Sequence, residues 1–165
     1  MNTPTNTNTA CDTQNTSLTV EIKKLPGQND VSLPKYQSEL AAGMDLHAAV
    51  PAEAPVTIQP GDIALIPCGF SLAVPTGYEA QVRPRSGLSM KHGITMINAP
   101  GTIDADYRGE VKIPLINLGK EPFEITRHMR IAQMLITPVP HTQWVEVTEL
   151  PDTSRGEGGF GHTGQ

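Results

Sequence analysis

A chain of 165 residues can bury one hydrophobic core, and its 12 Lys+Arg against 17 Asp+Glu leave a net charge of −5. That balance excludes the basic footprint of a nucleic-acid coat or an anionic-membrane binder, and no apolar run approaches the roughly 18 residues of a bilayer span. The 15 Gly and 15 Pro favour short strands and tight turns over long helices.

Residues 1–17 are Thr/Asn-rich and nearly free of apolar groups. Such a segment cannot offset the entropy of ordering and is expected to be a disordered tail. It has neither a basic n-region nor an apolar h-region, so a secretory signal is not expected. Alternation and turn residues then predict strands at Leu18–Ile22, Met44–Ala48, Val56–Ile58, Ile63–Pro67, Phe70–Val74, Tyr78–Val82, Ile94–Ile97, Val111–Leu115, Phe123–Ile125, Ile131–Ile136 and Trp144–Val147. Many short strands punctuated by Gly, Pro, Asn and Asp read as an all-β sandwich or barrel. Pro114, inside one run, suggests an edge or a bulge. One short helix is expected over Ser86–His92, with Ser86 as N-cap, Lys91 and His92 in the last turn and Gly93 as the left-handed stop.

Cys11 and Cys68 lie in such different settings, a polar tail and an apolar stretch, that no disulfide is expected. The five histidines are scattered without ligand spacing. A reducing cytoplasm fits this pattern.

Five segments carry candidate chemistry. Gly101-Thr102-Ile103-Asp104-Ala105-Asp106-Tyr107-Arg108-Gly109-Glu110 holds two carboxylates two apart. They share a side if the segment is extended, and like charges are one way to tune a general base; the same residues also read as an acidic turn before a strand. Arg83-Pro84-Arg85-Ser86-Gly87 puts arginines before a helix start, which suits phosphate or a simple cap. Ile97-Asn98-Ala99-Pro100-Gly101 reads as a hairpin turn between two β runs, whose backbone presents alternating C=O and N–H groups. Asp45 stands in an apolar strand, and Arg130 and Gln133 fall on opposite faces of another. Arg155, amid glycines, could wrap a phosphate chain, and Phe160 in that Gly run needs something to dock on.

In this order, Ala42-Gly43-Met44-Asp45-Leu46, Pro84-Arg85-Ser86-Gly87-Leu88, the Gly101–Glu110 segment, Arg130-Ile131-Ala132-Gln133-Met134 and Arg155-Gly156-Glu157-Gly158-Gly159-Phe160-Gly161 resemble the five motifs of the trimeric deoxyuridine triphosphate nucleotidohydrolases (dUTPases). The match covers roughly residues 18 to 165. One departure stands out: before Arg130 the family usually has Gly and then an acid, whereas this chain has His128-Met129.

The resemblance implies a jelly-roll-like β domain over residues 18–148, assembled as a homotrimer with active sites shared between subunits. Residues 149–165 would form an arm closing a neighbouring subunit's site. It implies hydrolysis of dUTP to dUMP and pyrophosphate with Mg²⁺, supplying dUMP for thymidylate synthesis and keeping uracil out of DNA. By motif position Asp104 would be the general base, Asn98 and the hairpin backbone around it would read uracil, Thr102 and Ile103 would bind substrate, and Tyr107 would lie against the deoxyribose. Arg85, Ser86, Gly87 and Gln133 would hold phosphates, and Lys112 would contact substrate. Arg155 and Phe160 would come from another subunit's arm. Mg²⁺ would sit on the triphosphate and waters, with Asp45 and Arg130 supporting that region and no direct protein ligand. The rivals are a dCTP deaminase, or bifunctional relative, and a non-catalytic nucleotide-sensing module. Neither nucleic acid nor membrane is expected as a partner.

Overall fold

The computed structural model describes residues 17–159. The amino-terminal tail through Thr16, with Cys11, and the segment from Phe160 onward lie outside the described residues. In chain order the elements are β1 (Glu21–Lys24), β2 (Lys35–Tyr36), β3 (Met44–His47), β4 (Val56–Ile58), β5 (Ile63–Pro67), β6 (Phe70–Ala73), β7 (Tyr78–Pro84), α1 (Ser86–His92), β8 (Ile94–Met96), β9 (Gly101–Ile103), β10 (Lys112–Asn117), β11 (Phe123–Ile125) and β12 (Arg130–Pro138). The architecture is all-β with one short helix, as the punctuation by Gly and Pro requires.

All pairing between these strands is antiparallel. The largest sheet runs β2-β3-β12-β7-β9; a second runs β5-β10-β8; β1-β6 and β4-β11 are two-stranded. Side chains pointing inward from these sheets meet in one core that includes Leu46, Ile58, Ile66, Phe70, Ile94, Ile113, Leu115, Ile125, Ile131 and Met134. Strand β10 shows how: Ile113, Leu115 and Asn117 are buried while the residues between them are not, the period-2 signature of a strand with one covered face.

Asn117 is a polar member of this interior and is fully buried. Its Nδ2 donates to the carbonyls of Ile58 (2.9 Å) and Glu121 (2.8 Å), and its Oδ1 accepts from the Gly119 N–H (2.8 Å). The three bonds tie β4 to the β10–β11 turn.

Several expectations are corrected. Pro114 lies in the central strand of its sheet rather than at an edge. Its carbonyl accepts from Ile97 N–H at 3.2 Å, just past the end of β8, so its missing N–H falls where β8 has already stopped pairing. The N-cap of α1 is Arg85, with φ −85° and ψ 124° and no side-chain cap, and Ser86 is already helical. Gly93 ends the helix at φ 69°, as expected, and Gly119 N lies 2.5 Å from where a Cβ would stand. The runs flanking Ile97–Pro100 are not a hairpin pair: β8 pairs with β10 and β9 with β7, so this turn, with its cis Ala99-Pro100 bond, carries the chain between sheets. The strand expected at Leu18–Ile22 starts at Glu21, and Trp144–Val147 forms no strand. Trp144, Val145 and Leu150 are 91%, 81% and 83% exposed.

Candidate functional site

Strand β9 is an edge strand held to β7 by the register Ala80↔Ile103, Gln81↔Thr102 and Val82↔Gly101. It delivers Asp104 to the start of a turn closed by Tyr107 N–H to Asp104 C=O at 3.1 Å. Asp104 and Asp106 therefore sit in a turn, not on one side of an extended segment, and both are exposed. Arg108 staples the loop to itself, its Nη1 donating to the carbonyls of Ala105 (2.6 Å) and Tyr107 (2.8 Å).

Tyr107 is 46% exposed and its hydroxyl donates to the Glu110 carbonyl at 3.1 Å. Its ring lies over Gly109, where a Cβ would meet Cζ at 2.5 Å and Cε2 at 3.0 Å. Only glycine leaves the ring there, a close-approach requirement. Glu110 anchors the far end of the loop: Oε1 accepts from Gly69 N–H at 3.1 Å and Oε2 lies 3.5 Å from Lys112 Nζ. Val111 N–H then bonds Phe70 C=O (2.9 Å) and Cys68 N–H bonds Val111 C=O (3.0 Å), joining the loop to the core. Burial, helped by the nearby Glu110 charge, pushes the Cys68 thiol up to about 12, so this free cysteine is inert.

Around this loop is a cleft of about 320 Å³ between β9 and the outer side of the β5-β10-β8 sheet. It is lined by Asn98, Thr102, Ile103, Asp104, Tyr107 and Lys112, together with Leu65, Glu110, Val111 and Pro114. The first six are site candidates from the sequence; all fall within residues 98–112, and the β9 and β10 pairings fold that stretch back around one cleft. Leu65 and Pro114 carried no chemical signal in the sequence. The Glu110–Lys112 pair could have been found, since i and i+2 share a side of an extended chain.

A second cluster forms where β3, β12 and the end of β7 meet. Asp45 is 2% exposed. Its Oδ2 accepts from Arg130 Nη1 at 3.0 Å and its Oδ1 from Gln133 Nε2 at 3.1 Å, with Arg85 Nε 3.6 Å from Oδ1. Arg85 Nη1 also donates to the Arg130 carbonyl at 3.1 Å. A buried carboxylate is tolerated when it is paired and its lone pairs are filled, and here two guanidinium groups and an amide do so. The Arg85 and Arg130 side chains keep solvent-facing parts, 26% and 46% exposed.

Arg130 and Gln133 were expected on opposite faces, but the β12–β3 register slips between Arg130 and Ala132, a β-bulge, and both reach the same carboxylate. The departure at His128-Met129 has a backbone explanation. His128 stands at φ 67°, a left-handed conformation that glycine adopts freely and other residues seldom take. Met129, partly buried, packs against the core where an acid is usual.

Ser86 and Gly87, exposed in the first turn of α1, adjoin Arg85. None of Arg85, Ser86, Gly87 and Gln133 lines the Asp104 cleft, so one chain holds two separate groups. Arg155 belongs to neither; its Nε donates to Gly158 C=O at 2.7 Å inside its own turn, and Phe160 lies outside the described residues. Among the described residues no group of three or more His, Cys, Asp or Glu could hold a metal ion. No helix there is long and apolar enough to cross a membrane.

The family model for dUTPase matches residues 29–164 of this chain. The deoxyuridine 5'-triphosphate nucleotidohydrolase of Desulfotalea psychrophila is 62% identical over 147 residues, covering 88% of this chain and 97% of that protein. That of Rhizobium etli is 56% identical over 146 residues, covering 88% and 94%. Among solved structures, the Staphylococcus bacteriophage 80alpha dUTPase with dUPNHPP aligns at a TM-score of 0.78 and 25% identity over 89% of this chain and 99% of that one. A mutant dUTPase from phage phi11 of S. aureus, which coordinates a structural Mg(II) ion, shares the fold at a TM-score of 0.70 and 22% identity over 79% of this chain and 97% of that one. With the matched family model spanning most of the chain and relatives above half identity, the chain belongs to the dUTPase family and hydrolyses dUTP.

Proposed function

We propose that dUTP is cleaved to dUMP and pyrophosphate in the cleft around Asp104. The observation that carries this reading is a shared cleft: Asn98, Thr102, Ile103, Asp104, Tyr107 and Lys112, all within residues 98–112, line it with a solvent-facing carboxylate among them, and Leu65 of β5 closes it from a distant part of the chain. Asp104 is the general base, drawing a proton from a water aimed at the α-phosphorus. Asn98 and the adjoining backbone read the uracil edge, with Thr102 and Ile103 at its side. Tyr107, held over Gly109, lies against the deoxyribose and leaves no room for a 2′-hydroxyl. Lys112 supplies positive charge to the substrate. Phosphoryl transfer to water needs positioning and charge neutralisation, and these residues are of the types that provide both.

Arg85, Ser86, Gly87, Arg130 and Gln133 form the phosphate-binding group, oriented by Asp45. On one chain they lie apart from the Asp104 cleft, as a site shared between subunits of a jelly-roll-like homotrimer demands. Residues 149–165 form the arm that brings Arg155 and Phe160 to a neighbouring subunit, and the exposed Trp144, Val145 and Leu150 preceding or opening it favour such an excursion. Mg²⁺ when bound neutralises phosphate charge. The described donors suit that indirect mode: Asp45 is enclosed by its cationic partners, and Asp104 offers a single open carboxylate. The enzyme works in the cytoplasm on the free nucleotide pool, supplying dUMP for thymidylate synthesis and keeping uracil out of DNA.

The test is Asp104→Asn, assayed by pyrophosphate release from dUTP with Mg²⁺ and by dUTP binding. Loss of turnover by several orders of magnitude with binding retained is expected, because the change removes the base but little of the shape. An unaltered kcat removes Asp104 from the role of base.

A further inference from the structure

Arg127 is absorbed by none of the motifs, yet it is among the most heavily bonded side chains of the described structure. Its Nε and Nη2 form a fork on Asp30, at 2.9 Å to Oδ2 and 2.6 Å to Oδ1. Nη2 also donates to Gln28 Oε1 (2.8 Å), and Nη1 donates to the carbonyls of Ala49 (3.3 Å) and Val50 (2.9 Å). Every guanidinium N–H is thereby used, and the side chain is only 13% exposed. The fork holds the Asp30 carboxyl well below the usual carboxylate range and raises Arg127 further, as a tight charge-assisted pair should.

The next residue is His128, at φ 67°, with Nε2 3.3 Å from the same Asp30 Oδ2. Its N–H donates to Ala48 C=O (2.9 Å), Met129 N–H to Thr126 C=O (3.2 Å), and Ala48 N–H to Met129 C=O (2.8 Å). This clamped left-handed turn feeds directly into Arg130 and the β12 bulge. A slip of one residue there would turn Arg130 or Gln133 to the other face of the sheet.

We infer that Arg127 is a positioning residue: its clamp on Asp30 holds the left-handed turn at His128, and that turn sets the bulge by which Arg130 and Gln133 converge on Asp45 beside Arg85. The inference rests on the reading of that cluster as the phosphate-binding group. It assigns a function to residues 28–30 and 127–128, which touch neither the Asp104 cleft nor the Asp45 carboxylate. The chain thereby tolerates histidine where glycine is usual: strain in the left-handed backbone is held down by the Arg127 fork and the His128 contact, both made to the Asp30 carboxylate.

Steady-state hydrolysis of dUTP with Mg²⁺ is measured for Arg127→Lys, Asp30→Asn, His128→Gly, His128→Val and Arg130→Lys, with melting curves for each. Lysine cannot form the fork, and asparagine keeps the shape of Asp30 but loses its charge and one acceptor oxygen. Arg127→Lys and Asp30→Asn are expected to raise KM by about threefold to thirtyfold, the range for substitutions that act through a coupled network, with kcat unmoved. His128→Gly, which keeps the left-handed backbone, retains the wild-type KM, whereas the β-branched His128→Val behaves like Arg127→Lys. Should Arg127→Lys fail to fold, Asp30→Asn, at a half-exposed side chain, decides. A lowered melting temperature with wild-type KM in these variants, while Arg130→Lys raises KM, overturns the positioning role and leaves the phosphate reading intact. A wild-type KM in Arg130→Lys refutes the phosphate reading itself.

Discussion

Gly109→Ala tests whether the Tyr107 ring position matters to chemistry. A Cβ there would stand 2.5 Å from Tyr107 Cζ and 3.0 Å from Cε2. Ordinary carbon contacts lie at about 3.5–4.0 Å, so the ring must retreat by about 1 Å. The retreat breaks the hydroxyl bond to Glu110 C=O, worth about 0.5–1.5 kcal/mol, and little packing goes with it because the ring is 46% exposed. Stability should therefore fall by about 1 kcal/mol. Activity should fall far more, since misplacing a substrate-positioning group by about 1 Å costs about 10²-fold. Tyr107→Phe separates the causes: it deletes the same hydrogen bond but leaves the ring over Gly109. The assay is the initial rate of pyrophosphate release from dUTP and from UTP, with Mg²⁺, at several concentrations. The alanine variant should lose about two orders of magnitude in kcat/KM for dUTP and much of its preference over UTP. The phenylalanine variant should keep most of both. A Gly109→Ala enzyme with wild-type kcat/KM and wild-type discrimination refutes the ring-over-glycine argument.

Three further outcomes are expected. His47 is half-buried, with its Nδ1 shielded and lacking a hydrogen-bond partner among the described residues, and desolvation, with Arg130, Lys35 and His128 nearby, outweighs Asp45 and lowers its pKa below the ordinary 6.5. The unfolded chain binds the proton first, so His47's contribution is complete above pH 6.5 and is lost as pH falls through its lowered value. Melting temperature measured between about pH 7 and 5 should drop with acid, and His47→Gln should flatten that slope; an identical slope removes His47 as the cause. Asn117→Ala removes three hydrogen bonds to the backbone of Ile58, Gly119 and Glu121, and urea unfolding should show a loss of about 2–4 kcal/mol; a loss under 1 kcal/mol would mean water replaces the amide. Deleting residues 155–165 should leave the melting temperature near wild type, because among the described residues the Arg155 side chain bonds within its own turn, while hydrolysis is severely impaired. Full activity in the truncated chain rules out the arm.

The parts of the fold that local chemistry writes were legible. Val56–Ile58, Ile63–Pro67 and Phe123–Ile125 are bounded by turn residues and appear as strands with those limits. Two short strands escaped notice for want of a pattern: Lys35–Tyr36 has two exposed residues, and Gly101–Ile103 opens on glycine. Trp144–Val147 has an apolar pattern but stands exposed among the described residues, so pattern and exposure disagree. Much of the Asp104 cleft was legible because most of its lining lies close together in sequence, around the Gly101–Glu110 segment; Leu65 and Pro114 were not, since nothing in their residue type marks a site. The joint hold of Arg130 and Gln133 on Asp45 was not, because a bulge inverts the parity on which face assignment depends, and no residue type announces a bulge. The left-handed turn at His128 was hidden for a related reason: histidine stands where glycine would have signalled it.

Strand β12 pairs with β3 over Arg130–Met134 and with β7 over Ala132–Pro138, so Ala132–Met134 are flanked on both sides, and residues 139–159 continue directly from its last residue. Its inner amides should be among the slowest in the protein to exchange with deuterium. The same strand carries Arg130 and Gln133 near its start and the departing carboxy-terminal segment at its end. Cluster and tail are thus ends of one strand, and a pull on the tail would first be shared with β7 through the pairs from Pro138 back to Ala132, which shields the arginine–carboxylate group from it.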